Sequence, residues 1–394
     1  MKIIHIAKNI PTTYKEENDI VLRTFSGMAE FMKKDVYFIY PLEFFPSAMF
    51  FSKFGKKFEE MVLLPNEFII NDCKVFTFKY IRLPFIRYAN CLLDFFSFRS
   101  WSYNSKVYSQ ELNCDVVHCH HVLPDGLLVK ALGINAKLKA VTVRQGDVNK
   151  LKSLCAKDRE YKLYSKVLTN FDVVISPSYS IAKFIESNFS VKVNVIPHPV
   201  EDNLFTKSSK SLVSFEKSNN EVTVAISANF IARKNINWVI DAVKSYSGSK
   251  KIKLYVSGTG PELESLFESA SGVENIIFTG KLSHVDNLDM ISKSDLFVLP
   301  SEKETFGRVY IEALALGVPC IALAGTGLDG YDLNSTILFV NDRKHFKKVF
   351  YEQIESAFSS EYKSKRIRAK DIAKRLFSTE VVYNTYLKLY NQIE

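Results

Sequence analysis

The chain has 394 residues, enough for two compact domains, and its 47% hydrophobic and 24% charged content excludes a disordered or fibrous chain. A net charge of +9 suits an anionic partner, whether nucleic acid, an acidic membrane surface or a phosphorylated substrate. The six cysteines include no Cys-x-x-Cys pair, which favours buried thiols in a reducing compartment over a disulfide framework or a zinc site.

The apolar run at Lys2–Ile6 is too short for the core of a signal peptide and reads as a first buried strand. Further strands are expected at Asp35–Tyr40, Asp115–His118, Ala140–Arg144 and Val173–Ser176. Helical patterns fall at Asn18–Met32, Gly126–Leu132, Arg159–Leu168 and Ser180–Glu186. Such alternation predicts a parallel sheet with helices on both faces. A polar stretch, Thr206–Asn220, then reads as a linker. Beyond it the pattern restarts, with strands at Val222–Ser227, Lys251–Ser257, Ile276–Thr279, Leu296–Pro300 and Pro319–Leu323. Helices are expected at Trp238–Ser245, Pro261–Ser269 and Val309–Leu316. The expectation is an α/β protein of two doubly wound, Rossmann-like domains facing an interdomain cleft, where ligands meet the carboxyl ends of the strands. No stretch is apolar and uncharged for long enough to span a bilayer, so a cytoplasmic or peripheral membrane location is expected.

One region breaks the rhythm. From Phe44 to Tyr103 aromatic rings alternate with Lys53, Lys56, Lys57, Arg82, Arg87 and Arg99. This fits either a segment pressed against an anionic membrane or core rings beside a solvated basic face. Interleaved bases and rings also suit single-stranded nucleic acid, but nothing else in the sequence supports that partner.

The stretch Asp295–Pro319 carries the chemistry. A buried strand ends at Pro300, a short loop holds Gly307, and a helix follows. Strand, glycine loop and helix together offer backbone N–H groups and a positive helix terminus to an anion such as a diphosphate. Glu304 lies in the loop, and Glu312 about one and a half turns into the helix. Carboxylates bind vicinal hydroxyls, which a nucleotide sugar carries on both its ribose and its hexose. Taken singly, Glu304 is equally a helix-dipole partner and Glu312 a buried, paired carboxylate.

In context the segment resembles the Glu-x7-Glu signature of family-4 (group 1) retaining glycosyltransferases of the GT-B fold. Pro300-Ser301 precedes it, and Glu312-Ala313-Leu314-Ala315-Leu316-Gly317-Val318-Pro319 closes it. The resemblance implies hexosyl transfer from a nucleoside diphosphate sugar, with a UDP-sugar as the expected donor and retention of configuration. Glu304 would bind donor-sugar hydroxyls and Glu312 the ribose. The Phe306 and Gly307 backbone would lie near the diphosphate, with Arg308 on the donor side as well. Gly258, in Val256-Ser257-Gly258-Thr259-Gly260-Pro261, matches the family's Gly-x-Gly-Pro turn. Lys234 falls on the family's phosphate-clamp lysine, where it would stabilise charge on the leaving diphosphate. The family arginine is missing: Asn229 stands in its place, and Arg233 is the second candidate cation.

In the first half, Asp115-Val116-Val117-His118-Cys119-His120 resembles the family's Asp-x-x-His-x-His. His120 then falls on the histidine placed near the reacting sugar. Strand alternation is read as turning His118 away from it, so no metal site is expected from these histidines. Arg144 and Asp147 loosely match an acceptor-side Gly-x-Asp loop, or else form an exposed ion pair in a turn. The first loop, Asn9–Tyr14, lacks the glycines that relatives usually carry. The expected domains are 1–203 on the acceptor side, 204–376 on the donor side, and a closing helix at 377–394.

No Asp-x-Asp stands at a strand end, so neither a divalent metal nor another cofactor is expected; cationic side chains would do that work. Expected partners are the nucleotide sugar and a saccharide or lipid-linked saccharide acceptor, as in bacterial surface polysaccharide synthesis, with peripheral contact at an anionic membrane and no nucleic acid. The competing readings are a sugar-nucleotide epimerase on the same fold and a weakly active scaffold homologue in a polysaccharide assembly complex.

Overall fold

A computed structural model describes residues 1–7, 20–32, 35–44, 65, 67–70, 72–81, 112–206, 220–325 and 327–393. The first loop, most of the aromatic-basic region and most of the expected linker lie outside the described residues. The chain divides into two compact units. One comprises Met1–Pro177, Ile181–Ile196 and Tyr383–Glu394; the other comprises Ser178–Ser180 and Pro197–Val382.

The first unit holds an eight-stranded sheet built from β1 (Lys2–Ile6), β2 (Asp35–Phe44), β3 (Glu67–Ile70), β4 (Cys73–Ile81), β5 (Asn113–Cys119), β6 (Asn135–Thr142), β7 (Val173–Ser176) and β8 (Val193–Val195). Its order is β3-β4-β2-β1-β5-β6-β7-β8. Every pairing is parallel except β3 with β4. β-Branched and other apolar residues fill both faces of the central strands, as in a doubly covered parallel sheet. Ile3, Ile4, Ile6, Val116, Val117 and Val141 are all essentially inaccessible. The direction of strand order reverses between β1 and β5, and such a reversal opens a crevice at the carboxyl ends of the two strands.

The second unit repeats the principle with β9 (Glu221–Ser227), β10 (Lys251–Ser257), β11 (Ile276–Gly280), β12 (Leu296–Leu299), β13 (Cys320–Leu323) and β14 (Ile337–Val340). The order is β11-β10-β9-β12-β13-β14, wholly parallel. Renumbered from its own first strand, this is the 3-2-1-4-5-6 order of dinucleotide-binding sheets, with its reversal between β9 and β12. The helix Arg308–Ala315 is buried nearly all round, through Tyr310, Ile311, Glu312, Ala313, Leu314 and Ala315. Good helix formers such as Ala and Leu suit it to that enclosed position. Among the described residues no helix is long and apolar enough to cross a membrane.

Most expected elements appear within a few residues of their expected limits. Strand β6 starts and ends earlier than expected, at Asn135 and Thr142 rather than Ala140 and Arg144. Asp147 accounts for the earlier end. Its carboxylate accepts the Arg144 backbone N–H at 3.0 Å and so starts the helix Gln145–Lys152 there. Thr379–Tyr390 forms the last α-helix, and from Tyr383 onward it packs within the first unit.

Candidate donor-sugar site

In the second unit the loops after β9 and β12 meet at the switch point. The first carries Ala228–Lys234 and the second Pro300–Gly307. Asn235 ties them together: its side-chain N–H donates to the Pro300 carbonyl at 3.0 Å. Asn235 itself adopts a left-handed conformation, φ 52°, which asparagine tolerates better than most residues. Backbone pairing adds a second tie, with the Glu302 N–H donating to the Arg233 carbonyl at 2.9 Å.

These ties bring Lys234 and Glu304 together as a mostly buried ion pair, the Lys234 ammonium donating to Glu304 Oε1. An ammonium has three N–H donors, so two remain beyond this contact. Arg233 is turned differently. It is exposed, and its guanidinium donates to the Lys303 carbonyl at 2.8 Å, bracing the Glu304 loop. Asn229, in the same loop after β9, is exposed.

Two glycines make the approach possible. Gly258 has φ 143°, and a Cβ there would sit 1.8 Å from the Ala228 carbonyl oxygen, so only glycine lets the β10 loop lie across the β9 loop. Gly307 has φ 85° and caps Arg308–Ala315; a Cβ there would meet the Tyr310 ring at 2.5 Å. Lacking a side chain, Gly307 leaves the first-turn N–H groups uncapped by any side chain, a usable anion site. Phe306 itself is buried, its ring packed edge-on against His198 at 5.1 Å between centroids.

Glu312 is 6% exposed and paired. Its Oε1 faces Arg308 Nη2 at 3.4 Å and His284 Nε2 at 3.3 Å. Both contacts fall on the same oxygen. No local sequence pattern points to His284, which lies 28 residues away at the start of the helix His284–Ser292.

In the first unit the switch point collects imidazoles. His5 on β1 is the cross-strand neighbour of His118 on β5. His5 Nδ1 lies 3.1 Å from His120 Nε2. His118 does not turn away from His120: their ring centroids are 4.4 Å apart. Residues two apart on a strand share a face, so the alternation that separates neighbours brings these two together. The three rings could approach one cation, with ligand atoms within 4.8 Å of one another. That corrects the expectation that these histidines cannot converge. His118, however, engages both ring nitrogens, Nδ1 with the Tyr390 hydroxyl and Nε2 with Thr142 Oγ1, each at 2.7 Å. Binding an ion through His118 would break one of these bonds.

Burial holds all three rings neutral. The His5 pKa is pushed down to about 3 by desolvation. Those of His118 and His120 are lowered well below the ordinary value by desolvation first, with neighbouring imidazoles and Arg144 adding to it. Asp147, expected on the acceptor side, is 2% exposed. It accepts from the Val122 N–H at 3.2 Å and faces His121 Nδ1 at 3.4 Å, so it shapes the loop rather than forming an exposed ion pair. Arg144 donates from Nε to the His120 carbonyl at 3.1 Å, holding that residue's backbone.

Two doubly wound parallel sheets, each with a furnished switch point, define the class as an α/β protein of paired Rossmann-like units, and comparison places it. The family described as Glycosyl transferases group 1 matches residues 208–371, and Glycosyltransferase Family 4 matches residues 68–204. The chain belongs to the group 1, family-4 glycosyltransferases and has the GT-B fold. It is 28% identical over 235 residues to N-acetyl-alpha-D-glucosaminyl L-malate synthase of Bacillus anthracis, covering 56% of this chain and 59% of that protein. It is 32% identical over 168 residues to alpha-monoglucosyldiacylglycerol synthase of Streptococcus pneumoniae, covering 39% of this chain and 38% of that one. The chain thus spans about half the length, or less, of these curated relatives. The crystal structure of Anabaena HepE in complex with UDP and glucose is similar in fold, with a TM-score of 0.64, 14% identity and all of both chains covered.

Proposed function

We propose that this chain is a retaining glycosyltransferase that moves a hexosyl group from a nucleoside diphosphate sugar, a UDP-sugar first among them, to a hydroxyl acceptor. The observation that carries the reading is the Lys234–Glu304 pair at the β9/β12 switch point, beside the uncapped helix start at Gly307. As the bond from the sugar's anomeric carbon to the phosphate oxygen breaks, its electron pair stays on the diphosphate. Lys234 and the helix N-terminus supply positive charge where that charge develops. Glu304 takes donor-sugar hydroxyls, and Glu312 the ribose through the oxygen its two partners leave. The cationic side chains make a divalent metal unnecessary, so turnover persists in a chelator.

UDP is favoured because HepE was crystallised with UDP and glucose. A lipid-linked saccharide acceptor is favoured by the similarity to a diacylglycerol glycolipid synthase, and by the net charge of +9, which suits peripheral work at an anionic membrane. A second reading, a nucleotide-binding homologue with little turnover, rests on Asn229 standing where the family has arginine.

A thermal-shift screen of UDP-, GDP- and ADP-sugars tests the reading. A ligand that binds only the folded state at about a hundred times its Kd adds roughly 2.7 kcal/mol. In a unit of this size that raises Tm by about 5–10 °C. The UDP-sugars are expected to give the largest shift. No shift with any nucleotide sugar contradicts the proposal, and a shift without turnover selects the second reading.

A further inference from the structure

The first-unit histidines contain a feature that the donor site does not explain. Among the described residues, His120 Nδ1 and His5 Nε2 are buried side-chain nitrogens without a hydrogen-bond partner. Such atoms are rare in folded proteins, because each forgoes the hydrogen bonds it had in water. The same two rings meet through their other nitrogens, His5 Nδ1 to His120 Nε2 at 3.1 Å. A neutral imidazole carries one N–H and one lone pair, so one ring donates in that contact and the other accepts. Whichever way it runs, the contact consumes His120 Nε2 and decides what Nδ1 presents. If His5 donates, His120 Nδ1 carries a proton; if His5 accepts, Nδ1 is a lone pair. In both cases a hydroxyl group, which donates and accepts, completes the bonding of Nδ1.

We propose that His5 is a positioning residue for His120: its contact fixes the His120 tautomer and ring, and leaves Nδ1 as the atom offered to a sugar hydroxyl. The inference rests on the glycosyltransferase reading and on the place that the family resemblance gives His120, beside the reacting sugar. The surroundings restrict the His5 ring to this task. Its centroid lies 4.3 Å from Phe25 and 5.4 Å from Phe38, so two aromatic rings pack against it. His118, the third imidazole, cannot substitute, because Tyr390 and Thr142 engage both of its nitrogens.

Two variants separate hydrogen bonding from packing. His5→Phe keeps a ring and removes both nitrogens, whereas His5→Asn keeps a polar group near the Nδ1 position. Turnover is measured as transfer or hydrolysis of the nucleotide sugar that gives the largest thermal shift. His5→Phe is expected to lower kcat by about ten- to a hundredfold with donor KM within about twofold, since misplacing a reacting group costs up to about 10²-fold. His5→Asn is expected to recover most of the loss. Wild-type turnover in His5→Phe, or equal loss in both variants, overturns the proposal. ¹⁵N NMR of histidine-labelled wild-type protein gives a test that needs no variant to fold. His120 is expected to show one tautomer at pH 7, and exchange between two overturns the assignment. If His120→Ala turns over normally, the underlying reading of His120 fails; if it is impaired while His5→Phe is not, only the role of His5 fails.

Discussion

Replacing Lys234 by alanine is expected to lower kcat by about 10²–10³, the usual cost of losing one preorganised group that stabilises developing negative charge. Two effects add. The cation proposed to face the leaving diphosphate disappears, and the Glu304 carboxylate paired with it loses its partner. Donor affinity therefore falls together with kcat. Glu304→Ala is expected to be comparably damaging, because it removes the proposed ligand for sugar hydroxyls and the partner that holds the lysine. Groups that act as a unit are not additive, so the double variant should lose less than the product of the two single losses. Steady-state kinetics on the three variants, with melting curves to confirm folding, check this. Unchanged turnover in Lys234→Ala and Glu304→Ala would remove the assigned roles.

The second large effect is loss of the first unit's stability in acid. His5, His118 and His120 stay neutral when buried, whereas in the unfolded chain they take up protons near the ordinary value of about 6.5. Between these limits the unfolded state binds more protons, so stability falls as pH falls. The penalty begins below about pH 6.5 and for His5 levels off near its folded value of about 3. From pH 7.5 to 5 each histidine costs up to about 2 kcal/mol, since one pH unit is worth about 1.4 kcal/mol per proton. The protonated rings would also face one another and the Arg144 guanidinium. Hydrogen exchange of peptides covering β1 and β5, corrected for intrinsic amide rates, reads this local stability. His5→Phe should flatten the slope by about a third. An equally steep slope in the variant would show that other groups carry the acid response.

The strand–loop–helix unit of the candidate donor site was legible in the sequence because its residues lie close together along the chain. Glu304, Gly307 and Glu312 sit on one strand–loop–helix unit, so spacing and glycine placement carry the information. The partner of Glu304 lies 70 residues away. Only the resemblance to a family pointed to Lys234, since an Arg-Lys pair alone reads as an ordinary helix start. His284 and His5 escaped for the same reason. Their roles arise from strand order, which places β1 against β5 and the β11 end near the helix holding Glu312. Arg233 likewise has a partner far along the chain, the Lys303 carbonyl, which no local pattern reveals. Strands β3 and β4 were hidden inside the aromatic-basic region, where rings and bases mask the period-two pattern.

The direct test of the central claim follows the anomeric proton by ¹H NMR during incubation of the wild-type protein. The donor is the stabilising α-linked nucleotide sugar, supplied with a lipid-linked saccharide. The expected result is that the donor's anomeric signal decays while an α-configured glycoside or free sugar appears first. A β-configured first product would contradict retention, and an epimerised or untouched donor would contradict glycosyl transfer itself.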